Sequence, residues 1–386
     1  MANRSRRGWL LGAAVAVCTA TATPGLSAAQ PAPVDQQECS AVRTNWSVEA
    51  KPHAAPESLL NTYSDKGKGW TGGDSTYSVK LSGGRTVWVF SDTFLGPVNP
   101  DGSRPTTTPF INNSFVVQRG HSLKTVTGGT RTNPTALVPP PANGWYWFGA
   151  AGTSKAGRNL DILAVQFERT GPGQWDWQWV SNHLARFDSR TLKLKELVPL
   201  PSAANVQWSA WQLSEGGYTY IYGVEDLGAA KYQHVARVRG DDLKGRWQYW
   251  TGAGWSADET ASARVLEGVA NEHSVTRWGD GYLLVTHDTN ELFSKRVLGY
   301  FSCSPVGPWV NPVELYQTPE TGAEGSYGDG DIITYNSHDH PDQRSGSTLL
   351  VSYNVNSLDP NTDLYADVSI YRPRFLGITL TPGANR

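Results

Sequence analysis

The chain has 386 residues and a formal net charge of −2, so its charge gives no indication of a nucleic-acid-binding protein. Charged residues make up 18% of the chain, below the roughly 25% usual for globular proteins, whereas Gly occurs 40 times and Trp 16 times. This composition is typical of turn-rich β structure with many aromatic surfaces.

The N-terminal segment predicts an export signal. A basic head at residues 3–7 precedes a short apolar run at residues 8–17, and the small residues 27–29 supply a cleavage site. The apolar run is too short to span a membrane. We therefore expect residues 1–29 to be a signal peptide and the mature protein to be secreted, by either the general or the twin-arginine route.

The remaining chain predicts an N-terminal arm at residues 30–55, one folded domain at residues 56–380 and a tail at residues 381–386. Cys39 and Cys303 remain after the signal is removed. In an exported protein they could form a disulfide that ties the arm to the domain, or they could stay separate buried thiols. No later segment is apolar enough to predict membrane insertion.

A small-residue turn followed by an apolar strand recurs five times. The turn glycines are Gly84, Gly144, Gly217, Gly281 and Gly346, and the steps between them are 60, 73, 64 and 65 residues. The second copy is the least regular, because residues 160–165 form a rival strand. A β unit repeated at a near-constant step indicates an all-β fold, a single five-bladed β-propeller. A pair of β-sandwiches with hairpins that only look periodic is the alternative.

Polar residues stand where the first strand of each predicted blade begins, and a propeller gathers these positions around one channel. Asp74, Glu272 and His338 lie 10, 9 and 8 residues before their turn glycines. Two carboxyl groups across a pocket are the minimum for hydrolysis of a glycosidic bond. A desolvated Glu can keep its proton near neutral pH, whereas an Asp surrounded by donors ionises. We predict Glu272 as the acid and Asp74 as the base or nucleophile.

Each of these residues also has a structural interpretation. Asp74 could close a turn, and Glu272 could be the buried partner of Arg264 or Arg277. His338 could bind a metal, but the histidines show no metal-ligand spacing, which favours a neutral, hydrogen-bonded His. We predict no cofactor, and the sequence shows no recognisable set of ligands for a central structural ion.

Further candidates lie at the ends and beginnings of predicted strands. Asp92 and Glu225 end second strands and could modulate the carboxyl pair. The residues expected to contact a sugar are Trp70, Asn113, Trp208, Trp211, His273, His338 and Asn354. Tryptophan faces pack against the apolar faces of sugar rings. Large aromatics also fill the space between blades, and Asn113 could instead satisfy neighbouring backbone.

At these strand starts the sequence resembles the five-bladed propeller glycosidase superfamily, which includes arabinanases, β-xylosidases, invertases and levansucrases. That superfamily has an Asp on the first strand of blade I and a Glu on the first strand of blade IV. The segments GDS at residues 73–75 and NEH at residues 271–273 match those two places. The stretches GWTGGDSTYSV, VWVFSDTFLG, NEHSVTR and LLVSYNVNS also resemble an exported actinobacterial family over most of the mature chain.

The resemblance implies a secreted glycoside hydrolase that cleaves a furanose-containing polysaccharide such as arabinan, so its expected partner is a polysaccharide or oligosaccharide. The superfamily often has a second Asp on blade III that tunes the acid, but residues 207–211, QWSAW, carry no carboxylate. The alternative is therefore a non-catalytic carbohydrate-binding propeller of the cell envelope. The sequence leaves open the sugar, the linkage, endo or exo action, the stereochemical outcome and the oligomeric state.

Overall fold

The computed structural model describes residues 39–383, and most of these residues form antiparallel β-sheets. The predicted signal peptide lies outside the described residues. The described chain begins with helix α1 (Ser40–Arg43), strand β1 (Trp46–Pro52) and helix α2 (Ala54–Ser64). None of the helices within residues 39–383 has the length and apolar character that a membrane crossing requires.

The first sheet follows helix α2. The strands in this region are β2 (Trp70–Gly73), β3 (Tyr77–Leu81), β4 (Arg85–Phe90), β5 (Thr93–Leu95), β6 (Phe110–Ile111), β7 (Ser114–Arg119) and β8 (Ser122–Val126). Strands β3, β4, β7 and β8 pair in that order as sheet I, and β2, β5 and β6 form a small separate sheet. A two-stranded ribbon, β9 (Gly128–Gly129) and β10 (Pro134–Thr135), leads to the next sheet.

Sheets II and III continue the same up-and-down pattern. Sheet II contains β11 (Gly144–Ser154), β12 (Asn159–Arg169), β13 (Trp177–Asp188) and β14 (Leu194–Pro199). Sheet III contains β15 (Gln207–Glu215), β16 (Tyr218–Asp226), β17 (Lys231–Arg239), β18 (Trp247–Trp250), β19 (Trp255–Ser256) and β20 (Leu266–Glu267), with a 3-10 turn at Glu259–Ala261 before β20.

The last two sheets complete the described chain. Sheet IV contains β21 (Ser274–Trp278), β22 (Gly281–His287), β23 (Arg296–Ser302) and β24 (Val310–Gln317). Sheet V contains β25 (Ile332–Asp339), β26 (Thr348–Ser357), β27 (Arg374–Pro382) and the N-terminal strand β1. Between β25 and β26 lies a 3-10 turn (Pro341–Gln343), and between β26 and β27 lie helix α3 (Asp363–Ala366) and a second 3-10 turn (Val368–Tyr371).

The two ends of the described chain are joined in sheet V. Strand β1 pairs with β27 over seven residues, from Trp46 opposite Pro382 to Pro52 opposite Leu376. A disulfide joins Cys39 to Cys303 with Cα atoms 5.6 Å apart, which answers the question that the sequence left open. Most of the described part of the predicted arm is therefore fixed to sheets IV and V.

Apolar clusters fill the space between consecutive sheets. One cluster joins sheets I, II and III, a second joins III and IV, and a third joins IV and V. A fourth cluster packs sheet V against sheet I and includes Leu350 and Phe375 from the former with Trp88 and Phe90 from the latter. Strand β22 is buried along its whole length, because sheets lie on both of its faces. The predicted all-β fold class is confirmed.

The predicted hairpin turns are found in four of the five sheets, and sheet II is the exception. Gly144 opens strand β11, whereas the turn to β12 is formed by residues 155–158. The rival strand at residues 160–165 is part of β12. Residues 110–111 form β6 and residues 114–119 form β7, so this segment lies before sheet II and not at its start. Asn113 lies between these two strands.

Candidate active site

Asp74 lies in a tight turn between the small sheet and sheet I. Two glycines precede it because their surroundings leave no room for side chains: a Cβ on Gly72 would lie 2.5 Å from the Tyr371 carbonyl oxygen, and one on Gly73 would lie 2.9 Å from the Asp92 carbonyl oxygen. Ser75 and Thr76 then adopt φ angles of +67° and +61°. This conformation is rare for a β-branched residue and often marks a functional turn.

The Asp74 carboxylate is held by phenols. The Tyr335 hydroxyl donates to Asp74 Oδ2 at 2.8 Å, and the Tyr371 hydroxyl also hydrogen-bonds this carboxylate. The other oxygen, Oδ1, is buried without a hydrogen-bond partner among residues 39–383. Burial raises the Asp74 pKa to about 6, although the phenols oppose that increase. Asp74 is therefore ionised at pH 7.

Glu272 comes close to the Asp74 turn from the start of sheet IV. The Ser75 hydroxyl lies 2.7 Å from Glu272 Oε1, and His338 Nδ1 lies 3.8 Å from Oε2. The Glu272 side chain keeps 13% exposure, so solvent still reaches it. Burial first, and then the Asp74 charge, raise the Glu272 pKa well above its usual range. The two carboxyl groups predicted from sequence are thus brought together, and Glu272 favours its neutral form.

Asp92 is a third carboxyl group beside the pair. Its Oδ1 accepts hydrogen bonds from Asn112 Nδ2 at 2.8 Å and from Trp147 Nε1 at 2.7 Å. Burial, followed by the charge of Asp74, raises the Asp92 pKa to about 8. Glu225, the other predicted modulator, instead pairs with Arg264 at 2.6 Å and lies 3.5 Å from His234. Of the two predicted modulators, Asp92 is the one that lies near Asp74.

The alternative partners for Glu272 are engaged elsewhere. Arg264 is the partner of Glu225, and Arg277 lies 3.8 Å from Glu215. His338 is buried, and burial lowers its pKa to about 4, so it is neutral at pH 7. Its Nδ1 lies 3.2 Å from the Asn336 carbonyl oxygen, and its ring stacks on Tyr77 with centroids 4.2 Å apart. Glu272 has no cationic partner within 4 Å among residues 39–383.

Several predicted sugar contacts belong to the core instead. Trp70 and Trp208 have no exposed surface, so neither ring can stack on a sugar. His273 is equally buried between the Ala270 carbonyl and Gln233. Asn113 binds the Tyr146 carbonyl and the Val138 amide, which is the backbone role left open by the sequence. These four residues are removed from the candidate site, because all four are buried and pack or hydrogen-bond within the interior.

Two other predicted residues remain near the carboxyl groups. Trp211 is half-buried, and its ring centroid lies 6.0 Å from that of Tyr77 and 6.2 Å from that of His338. Asn354 accepts a hydrogen bond from Thr76 Oγ1 at 3.0 Å, and its Nδ2 has no partner within the described chain. Because Asn354 is only 2% exposed, this free donor is enclosed beside the Asp74 turn, and Trp211 is the more accessible of the two residues.

Sequence reasoning missed a tryptophan cluster on sheet II. Trp145, Trp147, Trp177 and Trp179 lie with Phe167 on one face of strands β11, β12 and β13. Trp147 connects this cluster to the carboxyl groups through its bond to Asp92, and its ring lies 5.2 Å from that of Trp177. Trp175, at the edge of the cluster, is 54% exposed. Partly exposed aromatic rings beside paired carboxyl groups form a surface that suits a sugar chain.

A loop connects the two sides of the site. The segment between β12 and β13 includes Gln174, whose Oε1 accepts a hydrogen bond from Asn361 Nδ2 at 2.7 Å. Asn361 follows β26 of sheet V, the strand that carries Asn354. The β12–β13 loop therefore reaches from the tryptophan cluster to the side of the site that holds Asn354.

The described residues also contain a cluster of three aspartates that are distant in sequence from Asp74 and Glu272. Single oxygens of Asp329, Asp331 and Asp363 all lie within 4.8 Å of one another, and Asp331 is exposed. None of the contacts described above joins this group to Asp74 or Glu272, and acidic groups on surfaces are common without an ion. We assign it no role in the chemistry.

Known structures with a similar fold were found. A Bacteroides ovatus protein, described only provisionally as a hydrolase, is 21% identical with a TM-score of 0.71, over 86% of this chain and 90% of that chain. The Podospora anserina α-L-arabinofuranosidase PaAbf62A is 11% identical, with a TM-score of 0.48, over 82% and 93%. Bacillus subtilis levansucrase is 11% identical, with a TM-score of 0.46, over 81% and 82%.

These identities are all below 25%, so they concern the fold alone. A search of curated protein sequences gave no match. The model of the family described as "Domain of unknown function (DUF5005)" matches residues 57–380, and the chain belongs to that family.

Proposed function

We propose that the protein is a secreted glycoside hydrolase that cleaves a furanose-containing, arabinan-like polysaccharide with Asp74 and Glu272. The observation that carries the proposal is the pairing of two unlike carboxyl groups. Asp74 receives two phenolic donors and has a pKa of about 6. The pKa of Glu272 is raised well above its usual range, so Glu272 keeps its proton. Glycoside hydrolysis needs one carboxyl group in each state.

A serine hydroxyl beside Glu272 opposes the rise of its pKa, but burial and the charge of Asp74 outweigh it. Ser75 Oγ lies within hydrogen-bond distance of Glu272 Oε1, Ser91 Oγ and the Phe148 carbonyl oxygen, at 2.7, 2.7 and 3.1 Å. A hydroxyl has one proton to donate. Ser75 Oγ donates to Glu272 Oε1, whereas Oε2 is buried without a hydrogen-bond partner among residues 39–383. An unpartnered buried oxygen disfavours the ionised carboxylate, in keeping with the raised pKa of Glu272.

In the proposed reaction, Glu272 gives its proton to the leaving glycosidic oxygen as the bond to the anomeric carbon breaks. Asp74 either attacks that carbon or takes a proton from the water that attacks it. Asp92 holds a proton at pH 7, and the charge of Asp74 contributes to this. We assign Asp92 the modulator role that the superfamily often gives to blade III, because residues 207–211 carry no carboxylate.

The same proposal includes the architecture, in which sheets I to V are the blades of a five-bladed β-propeller. It is supported by the apolar clusters between consecutive sheets and between sheets V and I. The pairing of β1 with β27 would close the ring by completing the last blade with the first strand. The Bacteroides ovatus protein with a similar fold is itself described, provisionally, as a hydrolase.

Export is supported by the disulfide, because such bonds form in oxidising compartments. The proposed substrate chain would lie on the tryptophan cluster of sheet II and pass Asp92 to reach Asp74 and Glu272. Trp211 would contact the sugar from the opposite side.

A screen of the mature protein against plant and bacterial-wall polysaccharides, read as new reducing ends, tests the proposal. Asp74→Asn and Glu272→Gln are assayed in parallel. We expect release from an arabinofuranose-containing polymer by the wild-type protein and none from either variant. Glycan binding without release by all three proteins would instead mean a carbohydrate-binding propeller, and release that survives in Glu272→Gln would remove the assignment of the acid.

A further inference from the structure

A basic cleft lies at the far ends of sheets I and II. It has a volume of about 570 Å³ and is lined by the β3–β4 turn, the β11–β12 turn and the β13–β14 turn. Strand β3 begins three residues after Asp74 and ends at Leu81 in the cleft wall. At 3.3 Å per residue, the cleft lies roughly 20 Å from Asp74 along this strand, at the other end of the sheet.

The lining of this cleft is strongly positive in a chain of net charge −2. Six cations line it, namely Lys80, Lys155, Arg158, Arg186, Arg190 and Lys195, against the two carboxylates of Asp188 and Glu196. Arg186 is buried and paired with Asp161, Asp242 and Glu196. Lys80, Lys155, Arg158 and Arg190 form no ion pair within 4.0 Å among residues 39–383. These exposed charges are available to a ligand.

The walls of the cleft are fixed by hydrogen bonds between the turns. Ser189 Oγ donates to the Gly157 carbonyl at 2.6 Å, and Arg85 of sheet I donates to the carbonyls of Ser189 and Arg190 at 2.8 and 3.0 Å. Lys195 Nζ is held toward the cleft wall by Asn159 Oδ1 at 3.0 Å. The cations are thus presented from a rigid frame, which lowers the entropy lost when a ligand binds.

The β11–β12 turn adds an independent observation. Lys155 and Ala156 adopt φ angles of +52° and +57°, which glycine or asparagine occupies more readily. A lysine occupies the first of these positions although the backbone conformation disfavours it. Strained positions of this kind are found where a side chain must be presented at a particular place.

We propose that this cleft binds an anionic glycan, a sugar polymer bearing carboxylate or phosphate groups, at a site separate from the carboxyl pair. The volume is that of an oligosaccharide site rather than of a single inorganic anion. The lining residues include no aromatic ring on which a nucleic-acid base could stack, which disfavours single-stranded nucleic acid. The cleft would hold the protein on a charged polymer while the other end of the sheets meets a neutral one.

Binding of the mature protein to polygalacturonate and to poly(glycerol phosphate) tests the proposal, with neutral arabinan as the reference polymer. The variant K155A/R158A/R190A removes three cleft cations, and K51A/K66A/K68A removes three exposed lysines elsewhere. We expect at least one anionic polymer to bind at low salt and to be displaced as ionic strength rises. We expect the cleft variant to bind that polymer about ten-fold or more weakly, and the control variant to bind it like the wild type.

The relative binding of the two polymers distinguishes carboxylate from phosphate as the preferred group. Equal binding by the wild type and the cleft variant, or no binding of either polymer at low salt, would overturn the proposal. Asp74→Asn should bind like the wild type whether or not the protein is a hydrolase. Failure of the cleft and failure of the proposed reaction are therefore separate results.

Discussion

Carboxyl groups within the candidate site and most of those buried elsewhere differ in their partners. Among residues 39–383 the exception is Glu259, which is 8% exposed, lies outside the site and is bound by the Trp208 indole and the Ala203 amide. Outside the candidate site, three carboxylates that are at most 1% exposed each face an arginine: Asp161 with Arg186, Asp288 with Arg296, and Asp339 with Arg344. Within the site, Asp74, Asp92 and Glu272 receive hydroxyl, amide and indole donors and have no arginine or lysine within 4.0 Å in the described chain.

The difference in partners bears on which carboxyl groups can exchange a proton. An arginine favours the ionised form of a buried carboxylate and so opposes proton uptake, although burial still raises the pKa of Asp339 beside Arg344. Neutral donors leave the pKa of the carboxyl groups in the site high. Ionisation of such a group therefore destabilises the folded protein. Groups of this second kind are found at functional sites, where their proton affinity is used.

The largest expected effect separates the roles of the two catalytic candidates. Glu272→Gln should lower hydrolysis of the natural polymer by about 10³-fold, because no acid protonates the leaving oxygen. The acidic phenol of an activated aryl glycoside can leave as its anion without that proton. Glu272→Gln should therefore lose much less activity on the aryl glycoside than on the polymer. Asp74→Asn should lose similar activity on both substrates, and kcat/KM on each checks this.

Glu225→Gln is the matched control, because Glu225 is an arginine-paired carboxylate outside the pair. It should keep wild-type turnover on both substrates. Equal losses by Glu272→Gln on the polymer and on the aryl glycoside would contradict its role as the acid.

The next effect concerns an arginine-paired carboxylate and appears in stability. Asp161→Asn should lower the free energy of unfolding by about 3 kcal/mol, because it leaves the buried Arg186 guanidinium without its closest partner. Asp242 contacts the same arginine from a 43% exposed side chain, so Asp242→Asn should cost under about 1 kcal/mol. Urea unfolding measures both. Similar losses in the two variants would show that burial does not decide the strength of these pairs.

A smaller effect should follow from loss of a phenol on Asp74. Tyr335→Phe removes a donor that favours the ionised form, so the Asp74 pKa should rise further and the acidic limb of the pH–rate profile should move to higher pH. We expect kcat to fall by about 10- to 100-fold. Tyr353→Phe is the control, because Tyr353 donates to the arginine-paired Glu320. A profile for Tyr335→Phe with an unmoved acidic limb would exclude Asp74 as the group that must ionise.

The smallest effect is a gain in stability. Between pH 4 and pH 8 the folded protein holds a proton on Asp92 that the unfolded chain releases, so the stability it contributes is complete below pH 4 and is lost as pH rises toward 8. Asp92→Asn removes this dependence and should stabilise the protein at pH 7 by about 1–3 kcal/mol. Urea unfolding at pH 4 and pH 7 compares the two proteins. A difference that does not change with pH would contradict the raised pKa of Asp92.

The sequence predicted the parts of the fold that depend on local turn chemistry. Glycine turns mark the first hairpins of sheets I, III, IV and V, and they placed Asp74 and Glu272 at matching positions. Sheet II was misplaced because its first hairpin turns at residues 155–158, where Lys155 and Ala156 adopt positive φ angles and only Gly157 gives a turn signal, whereas the repeat predicts the turn at Gly144. The backbone preferences of Lys and Ala do not predict positive φ angles at these two positions, so the sequence does not reveal this turn.

The environment of the carboxyl groups could not be read from the sequence. Tyr371 reaches Asp74 from a 3-10 turn, and Trp147 reaches Asp92 from the neighbouring sheet. Trp70 and Trp208 were expected at the pocket because they precede or begin strands, but packing between sheets buries both. Which residues surround a site depends on tertiary contacts between distant segments, and strand periodicity does not contain that information.

The central claim is that Glu272 is an unpaired acid that stays neutral at pH 7. Carbon-13 NMR of protein labelled at the Glu side-chain carboxyl carbons tests it without a substrate. One carboxyl resonance should keep the chemical shift of the protonated form at pH 7, and it should be absent from Glu272→Gln. If every Glu carboxyl group instead titrates below about pH 5, Glu272 is ionised at neutral pH and cannot serve as the acid.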